Sequence, residues 1–312
     1  MKKRIEWIDF GKGICILFVI ISHFSCCPYK MRIFFSPFFL SFFFFLSGYN
    51  FKCDNFKSMI IKKSKQLLVP WLFFSIIEIL LKCISGDNFF RLFMFNLLQI
   101  KGLNESFWFL PCLYISFVFF FFLNKITKKR KILVSGIFLV CGALYGFFMN
   151  PNVLSWHSIA LPWHIDKLPL TLCFMLLGSV LRELDWNVNK KVYLISIAYF
   201  GIPVFLNKIC SIVDFNYNIF IWTFIMLFGI FFIYSMSRII NRVIIINFIG
   251  ENSLLYFLIH VFILKIVNFL LLKYDVGESW IITIIGTVIV TIILILPIKF
   301  INKHFAFILG KF

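Results

Sequence analysis

The feature that most constrains this chain is a series of apolar blocks, set almost end to end from residue 11 to residue 298. Each is about as long as a bilayer core is thick, since a helix rises about 1.5 Å per residue and roughly 20 apolar residues cross the hydrocarbon. Backbone N–H and C=O groups find no water there, so only helices and closed barrels can span. Phe42–Phe45 and Phe119–Phe122 are unbroken phenylalanine runs, without the in-and-out alternation of barrel strands. Charged residues make up 14% of the 312, against about 25% in soluble domains, too few to cover a soluble core of this size. The expected fold class is therefore an all-α integral membrane protein, with about ten transmembrane helices in one bundle. A single domain is expected over residues 1–312, because neither an internal repeat nor a low-complexity tail nor a soluble segment interrupts the blocks.

The spans read as 11–27, 33–50, 67–84, 107–123, 132–149, 168–182, 192–206, 217–237, 253–272 and 279–298. The stretch 88–100 is too short to cross and reads as an interfacial helix, and 244–249 also suits an interface. The first apolar block, Ile14–Phe24, contains His23 and has no small-residue cleavage site after it, so it reads as a retained span.

The formal net charge is +18. On a soluble protein that would indicate nucleic acid. In a multi-span protein it reads instead as basic residues crowding the cytoplasmic loops. An even number of spans puts both termini on one side. With that side taken as cytoplasmic, the inner segments hold 21 Lys and Arg and the outer loops 8, with Lys12 and Lys265 inside spans. The expected placement is a multi-pass protein of the cell's cytoplasmic (inner) membrane, both termini in the cytoplasm, with lipid rather than nucleic acid as its surroundings. The nine cysteines show no C-x-x-C pair, read as small packing residues in helices, and imply no metal site.

Ionisable side chains inside a span are costly to keep and are functional candidates. The first block carries Asp9, Lys12 and His23. Eleven residues separate Lys12 from His23; at 100° per residue they share one helix face, about 16 Å apart along the axis. Asp9 lies one turn before Lys12, where the two also read as an ordinary i, i+3 ion pair at the membrane surface. His23 also suits an outer-interface histidine with no task. In the run Gly250–His260 a second histidine, His260, follows Ser253, Tyr256 and Phe257 at helical spacing, and Glu251 and Asn252 suit a helix start. Two histidines could meet across a bundle. Ser47-Gly48-Tyr49 closes a phenylalanine-rich helix, with Gly48 in the place of a C-cap. Five lysines fall between 52 and 65, Lys62 and Lys65 among them; they suit lipid headgroups or the phosphates of a cytosolic donor. In the outer loop, Trp156 and Trp163 read as interface anchors. With Asp166, His157 and His164 they also read as a carbohydrate-contact surface of stacking rings and a carboxylate.

Taken in order, these segments resemble the membrane-bound acyltransferase family 3. The opening Arg4-Ile-Glu-Trp-Ile-Asp9-Phe-Gly-Lys12 with His23 eleven residues on is similar to the family's start. Phe38–Tyr49 resembles its second helix, and Lys62-x-x-Lys65 followed by Val69-Pro70-Trp71 its basic loop. Phe107-Trp-Phe-Leu110 and Gly250–His260 are similar to later helices, and Leu161–Asp166 with Gly178 beyond it looks like the fucose acetylase-like branch. Lys12 and the loop lysines stand where arginine is usual. The resemblance implies O-acyl transfer, most often of acetyl from cytosolic acetyl-CoA, to a hydroxyl of a surface or lipid-linked glycan. The family's histidine falls at His23, for which a catalytic role is expected with Lys12, Asp9 and His260; the lysine charge suggests donor contacts at Lys62 and Lys65, and the ring and carboxylate suggest acceptor contacts at Trp163 and Asp166. The rival readings are a transporter or flippase of lipid-linked saccharides, with His and Lys on a substrate path, and a glycan polymerase. The absence of repeats and of Gly/Pro-broken helix pairs counts against the transporter.

Overall fold

The computed structural model describes residues 5–99, 107–149, 161–184 and 219–310. Among these residues every regular element is helical. In chain order they are α1 (Glu6–Ser22), α2 (Tyr29–Tyr49), α3 (Phe56–Lys63), a π turn (Ser64–Leu68), α4 (Val69–Ile84), α5 (Phe89–Leu98), α6 (Phe109–Leu123) and α7 (Lys128–Met149). A 3₁₀ turn (Pro162–Lys167) leads into α8 (Leu168–Glu183). Then come α9 (Ile219–Ile240), α10 (Ile244–Glu251), α11 (Ser253–Lys273), α12 (Trp280–His304) and a 3₁₀ turn (Ala306–Leu309).

Each expected span coincides with a helix except 192–206, which lies outside the described residues. Among the described residues, five stretches are long and apolar enough to cross a membrane: Tyr29–Tyr49, Phe56–Ile84, Pro162–Glu183, Ser253–Lys273 and Trp280–His304. The helices α1 and α6 are shorter, at 17 and 15 residues. The stretches 88–100 and 244–249 contain the short helices α5 and α10.

One expectation changes at residues 52–65. The basic stretch is a helix from Phe56 onward, continuous with the span that follows. The π turn is accounted for by Pro70, which has no N–H for the carbonyl four residues back and whose ring crowds it. The helix widens by one residue just before the proline and then resumes.

The chain divides into two compact units, Met1–Phe43 with Trp186–Phe300 and Phe44–Asp185 with Ile301–Phe312. In the first unit α1 packs against α9, α10 and α11. Its crossing with α10 is made by glycines. A methyl on Gly13 would lie 2.1 Å from the Ile246 carbonyl oxygen, and one on Gly250 would lie 1.7 Å from that of Asp9. Lipid tails are as apolar as leucine, so helices gain little by hiding apolar surface from them and hold together by close packing and hydrogen bonds. The same logic orders α12. Thr283, Thr287 and Thr291 face inward with Val290, Leu294 and Ile298, whereas Ile281, Ile285 and Leu296 face out. The hydroxyls of Thr283 and Thr287 donate to the carbonyls one turn back, each at 2.7 Å.

The second unit repeats the glycine crossing between the end of α2 and α8. A methyl on Gly48 would meet the Met175 carbonyl oxygen at 1.9 Å, and one on Gly178 that of Phe45 at 2.0 Å. Gly48 is thus a packing residue inside α2 rather than its C-cap. The carbonyls at the end of α2 are met by Arg182, which donates to Phe51 O at 2.9 Å and Tyr49 O at 3.4 Å. Lys131, at the start of α7, is buried and donates to Asn124 Oδ1 and Ser179 Oγ, each at 2.9 Å, and to Glu183. A lysine that on charge counting only marks the inner side therefore ties the ends of α6, α7 and α8.

These crossings predict opposite outcomes for two glycines. Gly250→Val forces α10 off α1 and is expected to cost about 3 kcal/mol or more, as severe overpacking does. Gly136→Ala, in α7 with open space around the new methyl, is expected to leave stability unchanged or slightly raised. Thermal unfolding of the detergent-solubilised variants checks both. Equal melting of Gly250→Val and the parent would show that the crossing is not tight.

Candidate active site

Two histidines far apart in sequence meet in the first unit. The rings of His23 and His260 lie 5.1 Å apart, centroid to centroid, with their planes at 82°. His260 projects from the middle of α11 and is 1% exposed. His23 is the C-cap of α1, with φ −94° and ψ −1°, and its side chain is exposed. It sits at the helix end and not within the helix, as its spacing from Lys12 had suggested.

Both imidazoles are oriented in the same way. Nδ1 of His23 lies 2.7 Å from the carbonyl oxygen of Val19, and Nδ1 of His260 lies 2.9 Å from that of Tyr256. A carbonyl oxygen only accepts, so in each ring Nδ1 carries the hydrogen and, in the neutral form, Nε2 keeps the lone pair. Ser22 Oγ donates to the same Val19 oxygen at 2.7 Å. Nε2 of His260 is buried and makes no hydrogen bond within the protein. Tyr256, one turn before it, donates its hydroxyl to Thr291 O at 3.2 Å and fixes α11 on α12.

The turn after His23 is held by side chains. Asn268 Nδ2 donates to His23 O at 2.7 Å, and its Oδ1 accepts from Ser25 N at 2.9 Å. Arg32 donates to Phe24 O at 3.2 Å and to Cys27 O at 3.5 Å. Cys26 O accepts from Ser279 N at 2.9 Å and from Thr283 Oγ1 at 3.2 Å. Sequence reasoning missed Asn268, although an asparagine in the apolar run Ile-Val-Asn-Phe-Leu is the kind of residue that needs a partner in a membrane.

Asp9 and Lys12 occupy the other end of α1. Their ion pair spans 3.4 Å, with Asp9 buried and Lys12 partly exposed. Lys12 is about 16 Å from His23 along the axis, out of contact with it. Asparagine also secures this end: Asn247 donates to Glu6 O at 2.9 Å. Asn252, which suits a helix start by sequence, instead donates back to Phe248 O at 2.8 Å and makes no cap bond to α11.

The second unit holds a basic pocket of about 580 Å³. Lys57, Lys62, Lys65, Ser58, Ile61 and Gln66 line it, with Asn55 and Gly310. Positions 57, 58, 61, 62, 65 and 66 recur at helical spacing, so one face of α3 and the π turn presents three ammonium groups together. Lys63 points elsewhere, its ammonium 3.8 Å from the centre of the Phe117 ring. Gly310 closes the wall with φ +66°, and a methyl there would lie 2.3 Å from Lys65 O. A pocket of this charge suits a polyanion such as a phosphate ester.

Trp163 and Asp166 lie on the 3₁₀ turn before α8. Trp163 and His164 both take left-handed backbone conformations, φ 56° and 55°, which are strained for residues of this size. The turn is held by Trp163 Nε1, which donates to Leu97 O at 2.8 Å, and by ring contacts to Trp71 and Tyr114. Asp166 is buried; its Oδ1 accepts from Leu161 N at 3.0 Å and its Oδ2 lies 3.5 Å from the buried Lys167 ammonium. The carboxylate is thus engaged inside the turn, while the Trp163 indole is half-exposed. Trp156 and His157 lie outside the described residues. Among the described residues no cluster of three or more His, Cys, Asp or Glu could hold a metal ion.

Compared with known proteins, the chain matches a family profile described as an acyltransferase domain, over residues 5–299. No curated protein and no solved structure matches it.

The Asp166 contacts generate a stability prediction. Asp166→Asn places a neutral amide against the buried Lys167 ammonium, and breaking a buried ion pair from one side costs roughly 3–5 kcal/mol. A large fall in the melting temperature is expected. An unchanged melting temperature would show that the carboxylate is not what holds the turn.

Proposed function

The chain belongs to membrane acyltransferase family 3, and from that premise we propose that it transfers an acetyl group from cytosolic acetyl-CoA to a hydroxyl of a surface or lipid-linked glycan. It works as one acyltransferase over residues 1–312 in the cytoplasmic membrane, with both termini in the cytoplasm. The observation that carries this reading is the pair of histidines, His23 and His260, each with Nδ1 tied to a carbonyl.

With Nδ1 engaged, the catalytic atom is Nε2 of His23. It takes the proton from the acceptor hydroxyl as that oxygen attacks the thioester carbon. The new C–O bond forms, the tetrahedral intermediate collapses, and the C–S bond breaks. The imidazolium returns its proton to the departing CoA thiolate, so the base is regenerated. His260 meets the His23 ring and sets its orientation. Asp9 and Lys12 fix the cytoplasmic end of the same helix.

The anionic end of CoA suits the lysine pocket of the second unit. Lys62 and Lys65, joined by Lys57, supply charge without the planar fork of arginine, so recognition rests on charge more than on bidentate geometry. On the acceptor side, the half-exposed Trp163 indole offers a sugar-stacking face, and Asp166 holds the turn beneath it.

Purified protein in proteoliposomes is expected to release CoA thiol from acetyl-CoA when a glycan acceptor is present. Lys62→Ala with Lys65→Ala should raise the KM for acetyl-CoA and leave kcat nearly unchanged, because the contact is made equally before and during reaction. Added salt should weaken donor binding by the parent more than by the variant. An unchanged donor KM would remove the pocket from the donor site. Incubation with radiolabelled acetyl-CoA and no acceptor should leave the protein unlabelled. Label retained on His23 would make it an acyl carrier instead of a base.

A further inference from the structure

A histidine at a helix C-cap is the last residue the helix restrains. Its direction depends on what holds the residues that follow, and the last carbonyls of the helix need outside partners. The turn beyond α1 meets that need with side chains from three sources: Asn268, Arg32 and Thr283. Only Asn268 bonds on both sides of His23–Ser25, donating to His23 O and accepting from Ser25 N. That requires one side chain with a donor and an acceptor side by side, which a carboxamide provides.

Asn268 lies on α11, about two turns beyond His260. One helix therefore supplies both the ring that His23 meets and the amide that fixes the His23 backbone. The two imidazoles keep their 5.1 Å spacing as long as that clamp holds, because any slide of α11 carries His260 and the anchor of His23 together.

We propose that Asn268 is a positioning residue of the acyl transfer, an amide clamp that locks the His23 turn to the helix bearing His260. The proposal rests on the reading of His23 as the base. Asn268 itself does not touch the substrate; it acts through His23.

The test measures kcat and donor KM for Asn268→Ala, Asn268→Asp, His23→Ala and the Asn268→Ala/His23→Ala double variant, each normalised to folded protein. Asn268→Ala is expected to lower kcat on the order of 10- to 100-fold, the scale of a misplaced catalytic group, with donor KM little changed. Asn268→Asp keeps the acceptor for Ser25 N but loses the donor to His23 O, so it should fall between the parent and Ala. On the residual activity of His23→Ala, adding Asn268→Ala should cost nothing more, because a residue acting through His23 has nothing left to position. A structural role would give the same fold-loss in both backgrounds, and that result would overturn the proposal. So would a parental kcat, or a loss seen in donor KM instead. Should Asn268→Ala fail to fold, Asn268→Asp is taken through the same cycle with the same criteria. Parental activity in His23→Ala would remove the base reading and the clamp together. An inactive His23→Ala beside a fully active Asn268→Ala would overturn the clamp alone.

Discussion

The close crossing of α1 and α10 at Gly13 and Gly250 is the contact on which the first unit depends. No large apolar surface is hidden from water when two helices meet in lipid, so the approach must be near enough for backbone to touch backbone. Here it is so near that neither glycine position has room for a methyl. α10 gives way to α11 after a single residue, Asn252. Fixing α10 on α1 therefore fixes the start of α11, and with it the height of His260. The other end of α1 carries His23. One crossing near the Asp9–Lys12 end thus sets the level at which two histidines can meet at the opposite end.

Above that crossing, polar side chains do the joining. Tyr256 reaches α12, Thr283 reaches the Cys26 carbonyl, and Asn268 reaches both sides of the His23 turn. Each bond goes to backbone and ties one element to another. The second unit follows the same economy with Gly48 and Gly178, the Arg182 bonds to the end of α2, and the Lys131 cluster. Among the described residues, polar side chains bond largely to backbone. Nε2 of His260 is buried without a hydrogen bond, and three lysines line an open pocket.

Much of this was legible in the sequence, and what was not has identifiable causes. The helices follow from apolar blocks, and His23 and His260 stood out because an ionisable group in such a block is expensive to keep. Their tie to carbonyls through Nδ1 was not readable, since it depends on side-chain rotamers. The C-cap position of His23 was missed because wheel geometry assumes the helix continues. The lysines at 57–65 read as a loop because charge hides a helix from hydropathy, while Pro70, two residues beyond the turn it widens, was the unused signal. Gly48 fits both a C-cap and a packing position, and only Gly178, 130 residues away, separates the two. Asp166 in a Trp- and His-rich segment suits a sugar contact as well as a turn anchor, and burial against Lys167 is a tertiary fact. The expected spans met helices wherever the chain is described, and among the described residues length and apolarity alone support five stretches as crossings.

The proposed mechanism turns on activation of the acceptor hydroxyl by Nε2 of His23. The most direct measurement is single-turnover thiol release by His23→Ala in proteoliposomes, with acetyl-CoA saturating and the acceptor present. The rate is predicted to fall on the order of 10²–10⁴-fold, the usual worth of a positioned base, while donor binding and the amount of folded protein stay at the parental level. A His23→Ala protein that turns over at the parental rate would contradict the account.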